Sequence, residues 1–267
     1  MKILVVTPTL GESPWLAETV ASVAAASQPH EHVLVAPVAA VAALAARFPA
    51  TTVVVEPGGG MYAAINAGLT AARDWDAFTY INDDDLLLPG FAAVVAALAE
   101  KLGEPLLAYG RVRLIDAAGR RLGAIPVSPS PQLNRALYAQ GLEPVYQHGT
   151  LVSRAAWAQH GGFDPAFRFC GDSEFLARLC VRGVPTVRVG GEVAAFRLRG
   201  GQLTKNRPAM LAERARVDEQ LGLRVTHLTA QHHWARLVFR LANLPVYAGR
   251  IRRHGFVSFD ELLERGG

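Results

Sequence analysis

Three adjacent carboxylates, Asp83, Asp84 and Asp85, are the residues of this chain best suited to chemistry. They stand in "INDDDLLLPG", after an apolar strand-like run, "AFTYI", and before a helix-like run, "FAAVVAALAEKL". Adjacent like charges are common in solvated turns, where water screens their repulsion. Acids at the carboxyl end of a strand in an α/β fold, in contrast, lie where such folds bind ligands. A bound cation would turn the repulsion into attraction, so this cluster is a candidate cation site.

The segments around these acids predict a mostly parallel, Rossmann-like sheet with flanking helices. Over residues 1–90, short apolar runs alternate with runs at helical period, a pattern typical of parallel sheets with helices on both faces. The pattern then changes, because "LLAYGRVRLID" and "AAGRRLGAIP" predict a strand, a turn and a second strand. Residues 205–222 predict a helix, and residues 228–254 form an Arg-rich amphipathic tail. The predicted fold class is α/β with a mixed C-terminal half and a helical tail.

The composition predicts a folded protein in a reducing compartment. Of 267 residues, 51% are hydrophobic, which is enough for a sizeable core. The net charge of +4 is too small to indicate nucleic acid, but it suits an anionic ligand or an acidic membrane surface. The two cysteines form no Cys-x-x-Cys pair, and the start "MKILVVTP" predicts a buried strand and not a signal peptide. We therefore expect a cytoplasmic protein without a membrane span.

Several motifs occur in the order and rough spacing of one enzyme family. They are "VVTPTLGESPWLAETVASV", "GGGMYAAINAGLTAA", "YINDDDLLLPG", "QHGTLVSRAAWAQHGGFD", "CGDSEFLARL" and "FRLRGGQLT". Together they resemble the family-2 glycosyltransferases of the GT-A fold, over residues 1 to about 205. The resemblance implies a catalytic domain at 1–204, with a nucleotide-sugar-binding half at 1–90 and an acceptor-binding half at 91–204. Residues 205–267 would form a helical C-terminal extension.

The implied reaction is metal-dependent, inverting transfer of a sugar from a nucleotide-diphosphate-sugar to an acceptor hydroxyl. The acceptor would be a glycan or a lipid-linked glycan in cell-surface polysaccharide assembly. In the family an Asp-x-Asp sequence binds Mn²⁺ or Mg²⁺, and the matching positions here are Asn82 and Asp84. Hard oxygen ligands suit either ion, which neutralises charge on the leaving diphosphate. We expect Asp84 and Asp85 to be metal ligands and Asp83 to contact the donor.

The resemblance also assigns other donor contacts. The loop "TPTLGES" would place Thr7, Pro8 and Thr9 against the nucleotide, and Asn66 would hydrogen-bond donor phosphate or ribose. The glycines of "GGG", residues 58–60, would allow close backbone approach to the ligand. A strand-end turn would explain the first of these loops nearly as well.

On the acceptor side, the family places an acidic residue at a helix start as the general base, and Asp172 matches it. This base would take the proton of the attacking hydroxyl. Asp172 could instead cap the helix, since an acid at a helix N-terminus is favoured by the backbone dipole. Glu174 would either orient the acceptor or form a salt bridge. His148 is a further acceptor-side candidate, although a single His is more often structural.

Three positions depart from the family pattern. The Asp that usually ends the second strand and pairs with the nucleotide base is Ala36, so the base cannot be assigned. The acid of the family's Tyr-Asp-Ala loop is Ala63, and the late His of the family is Arg199. An Arg cannot bind a cation but can bind a diphosphate in a bidentate way. We therefore expect Arg199 to contact the donor and to supplement or partly replace the metal, with Arg197 as a second candidate.

Alternatives remain open from the sequence. The chain could be a catalytically degenerate nucleotide-sugar-binding protein, or a nucleotidyltransferase, although "TPTLGESP" lacks the basic residue that the latter would carry. The tail at 228–254 could bind the inner face of the membrane peripherally. It could equally pack on the catalytic domain or on a second copy in a homodimer.

Overall fold

A computed structural model describes residues 1–26, 30–199, 207–223, 225, 227–257 and 261. Its first half is the predicted parallel unit, in which β1 pairs in parallel with β2 and β4, and β2 with β3. The strands are β1 (Ile3–Pro8), β2 (His30–Ala36), β3 (Thr52–Val55) and β4 (Ala77–Tyr80). The helices are α1 (Leu16–Ala24), α2 (Val38–Arg47) and α3 (Met61–Ala71).

The second half of the sheet is mixed, as the change in sequence pattern predicted. Its elements are β5 (Leu86–Leu87), α4 (Phe91–Ala99), β6 (Leu107–Ile115), β7 (Arg121–Ala124), a 3₁₀ turn (Pro131–Leu133), α5 (Asn134–Tyr138), β8 (Leu151–Ser153), α6 (Arg154–His160), α7 (Gly171–Val181) and β9 (Thr186–Arg197). Strand β8 is antiparallel to both β4 and β6, while β9 is parallel to β6 and antiparallel to β5. The order is β3-β2-β1-β4-β8-β6-β9-β5, and β7 forms the predicted strand–turn–strand unit with β6.

Both faces of the sheet are buried at β1, which explains why this strand is almost entirely apolar. Leu4 and Val6 of β1 belong to one core cluster, while Ile3 and Val5 belong to another. Side chains alternate across a strand, so a strand covered on both sides needs apolar residues at every position. Helix α3 approaches this strand closely, because a Cβ at Gly68 would lie 2.7 Å from Val6 Cγ1.

The C-terminal extension consists of α8 (Arg207–Gln220), α9 (Ala230–Ala242) and α10 (Leu244–His254). Helix α8 buries Val217 in the same core cluster that holds β1, and α9 packs Ala235 and Phe239 against α5. Asn243, between α9 and α10, exchanges hydrogen bonds with the backbone of Val127, at 2.9 Å and 3.3 Å. The tail therefore packs on the rest of the chain through one face. The expected boundary at residue 204 lies outside the described residues.

Within the described part of the chain, every helix is too short or too polar to cross a bilayer.

Candidate active site

A cavity of about 760 Å³ opens at the carboxyl ends of the parallel strands. Its lining includes the loop after β1, the glycine loop before α3, the acid turn after β4, the segment before α7, and the end of β9 with Arg199 two residues beyond it. Thr9, Asp84, Asp172 and Arg199 are among the lining residues. The fold thus brings the two acids on which the sequence prediction depends, 88 positions apart by their numbers, to one cavity.

The acid turn is fastened to the loop that follows β1. Thr9 Oγ1 donates a hydrogen bond of 2.6 Å to Asp83 Oδ2, and Ser13 Oγ donates one of 2.8 Å to the Asp83 carbonyl. Burial raises the pKa of Asp83, and the Thr9 hydrogen bond opposes that rise. Pro8, Thr9 and Asp83, which the resemblance assigns to the donor, all line the cavity.

Asp84 is buried and forms an ion pair with Arg199 across the cavity wall. Burial raises the pKa of Asp84 to about 6; the neighbouring Asp85 adds to the rise, and the Arg199 guanidinium opposes it. Arg199 also lies over the Trp15 ring, with its Cζ 5.6 Å from the ring centroid. One cavity wall therefore holds a carboxylate and a guanidinium side by side. The carboxylate can bind a metal cation, and the guanidinium can bind the phosphate oxygens of a diphosphate.

Asp85 lies beneath this turn and does not line the cavity. Its side chain has no exposed area; Oδ1 accepts the backbone N–H of Arg197 at 2.8 Å, and Oδ2 accepts Asn82 Nδ2 at 3.0 Å. The Arg197 side chain donates to the Asp84 carbonyl at 2.8 Å and to Glu18 at 2.7 Å. Asp85 and Arg197 thus stabilise the acid turn through hydrogen bonds on the side away from the cavity. This placement does not support Asp85 as a metal ligand or Arg197 as a diphosphate contact.

The oxygen atoms at the turn fit a hard divalent cation. Asn82 lines the cavity, and its buried Oδ1 has no hydrogen-bond partner in the part of the chain that the structure describes. Asp84 supplies a carboxylate two residues on. Among the described residues, no three His, Cys, Asp or Glu side chains come together to bind a metal unaided. Mg²⁺ and Mn²⁺ keep several coordination positions for phosphate and water, so two protein oxygens would suffice.

Asp172 lies at the start of α7 and accepts two hydrogen bonds. Tyr62 Oη donates to its Oδ1 at 3.0 Å, and the Ser173 backbone N–H donates to the same atom at 2.9 Å. Burial raises the pKa of Asp172, while the two donors oppose that rise. Gly171 is required beside it, because a Cβ there would lie 2.6 Å from the Tyr62 ring. The environment is that of a carboxylate whose affinity for a proton is increased and whose position is fixed.

The glycine loop has a backbone conformation that favours glycine. Gly58, Gly59 and Gly60 all have positive φ, at 78°, 88° and 93°, and all three line the cavity. Side chains other than hydrogen are strained in this region, and they would also cover the cavity edge.

His148, the acceptor-side candidate of the sequence analysis, lines the cavity next to Phe196. The two ring centroids are 4.6 Å apart. His148 Nε2 lies 3.2 Å from Asp85 Oδ2, although the arrangement lacks hydrogen-bond geometry. His148 therefore lies between the cavity and Asp85, which packs beneath the acid turn.

Three other candidates lie away from the cavity lining. Thr7 is fully buried, and its Oγ1 is 3.0 Å from His32 Nε2. Asn66 donates a hydrogen bond to the Phe163 carbonyl at 2.7 Å and accepts one from the Phe163 N–H at 3.0 Å. Both polar atoms of its side-chain amide are therefore bonded to the backbone of the loop that contains Phe163.

Glu174 is buried in a two-point ion pair with Arg178, whose Nε and Nη2 lie 2.6 Å and 3.1 Å from its oxygens. These contacts do not support donor binding by Thr7 or Asn66. For Glu174 they favour the salt-bridge alternative over acceptor binding.

Several cavity residues were missed by the sequence prediction. They are Trp15, Glu56, Arg168, Phe169 and Met210. An acid directly after a strand, as in "VVVEP", is a signal that could have identified Glu56. The others depend on tertiary contacts and have no local signature.

Comparisons with known proteins agree with this architecture. A family model described as glycosyl transferase family 2 matches residues 4–158. Comparison with curated proteins gives no significant match. Among solved structures, S. aureus TarS 1-349 in complex with UDP-GlcNAc is 16% identical, with a TM-score of 0.65. That match covers 95% of this chain and 79% of the other.

A second similar structure is the mannosyltransferase PcManGT from Pyrobaculum calidifontis, in complex with GDP-Man and Mn²⁺. It is 18% identical, with a TM-score of 0.54, and the match covers 99% of this chain and 79% of that one. At such identities the solved structures indicate a shared fold, whereas the family model spans more than half of the chain. The chain therefore belongs to glycosyl transferase family 2 and is a glycosyltransferase with the GT-A fold.

Proposed function

We propose that this enzyme transfers a sugar, with inversion, from a nucleotide-diphosphate-sugar to the hydroxyl of a glycan or lipid-linked acceptor. The observation that carries the proposal is that Asp84 and Asp172 line one cavity, each next to a group suited to its role. Asp84 adjoins the Arg199 guanidinium and Asn82, and Asp172 adjoins the Tyr62 hydroxyl. TarS and PcManGT, with UDP-GlcNAc and GDP-Man in their complexes, support a nucleotide-sugar donor.

The donor would lie with its diphosphate against Asp84 and Arg199. Asn82 and Asp84 would hold Mn²⁺ or Mg²⁺, and such an ion would neutralise the charge that builds on the leaving diphosphate. Arg199 would bind phosphate oxygens through its planar guanidinium, supplementing the ion. Asp83, fixed by Thr9, would contact the sugar or ribose.

Asp172 would act as the general base in a single displacement. The acceptor oxygen attacks the anomeric carbon, the bond from that carbon to the diphosphate breaks, and Asp172 takes the hydroxyl proton. A carboxylate with a raised pKa is a better proton acceptor, provided that it is still ionised at the working pH. The hydrogen bonds from Tyr62 and the Ser173 N–H favour its ionised form and fix its direction.

Glu56 is our candidate for recognition of the nucleotide base. It directly follows β3, lines the cavity, and its backbone N–H donates to the carbonyl of Ala36 at 2.8 Å. The acid that the family carries at position 36 is therefore replaced by one on the adjacent strand end. A carboxylate pairs with the N–H groups of guanine or uracil, so GDP and UDP are the nucleotides to test first.

A thermal-shift screen of nucleoside diphosphates with and without Mn²⁺ tests donor and metal binding together. A ligand that binds only the folded state raises the melting temperature, and the rise increases with the ratio of ligand concentration to Kd. We expect GDP or UDP to raise it, more strongly with Mn²⁺, and we expect Asp84→Asn to remove the Mn²⁺-dependent part. Asp76→Asn, at a partly exposed acid outside the cavity, is the control. Absence of any shift would contradict donor binding, and binding without turnover of any donor would favour the degenerate alternative.

We further propose that the outer face of the tail contacts the inner face of the membrane. Trp234, Leu237 and Leu241 lie at i, i+3 and i+7 on α9, opposite its packed face, and Trp234 is 61% exposed. Residues 228–254 contain five Arg and no acidic residue. An exposed apolar stripe on a segment that carries basic residues and no acidic ones is complementary to anionic lipid.

Vesicle flotation tests this contact. We expect binding to phosphatidylglycerol vesicles that weakens with salt, little binding to phosphatidylcholine vesicles, and loss of binding in Trp234→Ser. No flotation at low salt would refute it. If light scattering detects a dimer, and the dimer is absent in Trp234→Ser, the exposed face binds a second copy of the chain and not the membrane.

A further inference from the structure

The extension helix α8 reaches the cavity and holds the segment that leads to Asp172. Met210, in the first turns of α8, lines the cavity. One turn further on, the Glu213 carboxylate accepts three backbone N–H groups in a row. They belong to Arg168 at 2.7 Å, Phe169 at 2.7 Å and Cys170 at 2.9 Å.

These three residues run directly into α7, which begins at Gly171 and carries Asp172 as its second residue. The Cys170 carbonyl accepts the N–H of Glu174, so residue 170 is already part of the first helical turn. Holding the N–H groups of 168–170 therefore holds the start of α7 in place. The direction of the Asp172 side chain depends on that start.

The tether is built to be stiff. Hydrogen bonds to an ionised carboxylate are about twice as strong as neutral ones, and Glu213 makes three of them. The Arg216 guanidinium stacks 3.8 Å from the Phe167 ring centroid, and Val217 is fully buried. Arg214 forms an ion pair with Glu143. Helix α8 is thus held in place by the residues that directly follow Glu213.

We propose that Glu213 is a positioning residue for the proposed base Asp172, so that the C-terminal extension is a working part of the active site. The proposal rests on the role of Asp172 in the proposed function. Glu213 also orders Arg168 and Phe169, which line the cavity beside Met210. Through the three hydrogen bonds of Glu213, α8 fixes both the orientation of Asp172 and the shape of the cavity wall formed by Arg168 and Phe169.

Two readouts test the tether separately from the chemistry. The first is hydrogen exchange of the amides of residues 168–170 in Glu213→Gln, with Glu219→Gln, an exposed acid on the same helix, as the matched control. We expect exchange about tenfold faster or more, since 1.4 kcal/mol of lost protection is a factor of ten. Exchange should be unchanged at β1. Unchanged exchange at 168–170 in Glu213→Gln would overturn the tether.

The second readout is turnover, measured as nucleoside diphosphate released from the donor identified by thermal shift. For Glu213→Gln we expect kcat to fall at least tenfold with the donor KM unchanged, and Glu213→Asp to recover part of kcat. A fall in donor affinity without a fall in kcat would overturn positioning. Faster exchange together with normal turnover in Asp172→Asn would instead show that the proposed function is wrong and the tether real.

Discussion

Removing one hydroxyl should move the pH dependence of this enzyme. Tyr62 Oη donates to Asp172 Oδ1 at 3.0 Å, and that hydrogen bond favours the ionised carboxylate. In Tyr62→Phe the bond is lost, whereas the ring still stacks on Phe163 at 5.8 Å between centroids. The Ser173 N–H donor also remains. The substitution therefore changes the charge balance at the base with little change in packing.

The size of the effect follows from the bond that is lost. Hydrogen bonds to charged groups contribute about 1.5–3 kcal/mol, and one pKa unit is 1.36 kcal/mol. The pKa of Asp172, already raised by burial, should therefore rise by about one to two further units. A base must be ionised to accept a proton, so the acidic limb of the kcat profile should move to higher pH by this amount. The plateau at high pH should be retained.

The same linkage predicts a pH-dependent loss of stability. A carboxyl with a raised pKa in the folded state binds its proton more tightly folded than unfolded, so its favourable contribution is present at low pH and lost as the pH rises through the folded pKa. Tyr62→Phe should thus be destabilised by about 1.5–3 kcal/mol at pH values above the folded-state pKa of Asp172, and by less at pH values below it.

The assay is nucleoside diphosphate release from pH 5 to pH 9, with urea unfolding at both ends of the range. The control is Tyr109→Phe, which removes a hydroxyl that donates to the Ser128 carbonyl at 3.3 Å outside the cavity lining. An acidic limb that stays in place in Tyr62→Phe, or moves equally in Tyr109→Phe, would refute the assignment of Asp172.

Three further substitutions test the packing around the site. Gly171→Ala should cost about 1–3 kcal/mol in urea unfolding, because its Cβ would lie 2.6 Å from the Tyr62 ring; unchanged stability would contradict that close contact. Arg197→Met should cost about 3 kcal/mol or more, since it leaves the buried Asp84 carbonyl without its guanidinium donor and breaks the ion pair with Glu18; a loss below 1 kcal/mol would argue against a bracing role. Glu174→Gln should lower the melting temperature without changing the acceptor KM, because Glu174 pairs with Arg178; a raised acceptor KM would restore the acceptor-binding prediction.

The main features of the fold and site could be predicted because local sequence signals carried them. Asp84 follows an apolar strand, and Asp172 opens an amphipathic helix. Elements of an α/β fold present such ends at one edge of the sheet. The fully apolar "ILVV" of β1 indicated a strand buried on both faces, which the structure confirms.

Individual side-chain contacts were harder to predict, because they depend on partners far away in the sequence. The amide of Asn66 binds Phe163, 97 residues away, and the sequence has no signal for that pairing. For Glu174 a signal did exist. Arg178 stands four residues later on the same helix, a spacing that favours an ion pair over ligand binding.

The extension was predicted as a helical appendage, but its packing links it to the cavity. The sequence predicted helix α8, yet no local pattern identifies Glu213 as the partner of N–H groups 43–45 residues earlier. The tail has both of the faces that the sequence left open. Its Phe239 face packs on α5, and its Trp234 face is exposed.

The most direct test of the account is a paired measurement on Asp172→Asn. Binding of the nucleoside diphosphate in the presence of Mn²⁺ is measured by titration calorimetry. Turnover of the matching nucleotide sugar is measured by release of the nucleoside diphosphate. The account predicts nucleotide affinity within about twofold of wild type and turnover lower by about a hundredfold or more, since a general base contributes about 10²–10⁴-fold. Turnover that survives the substitution unchanged would contradict it.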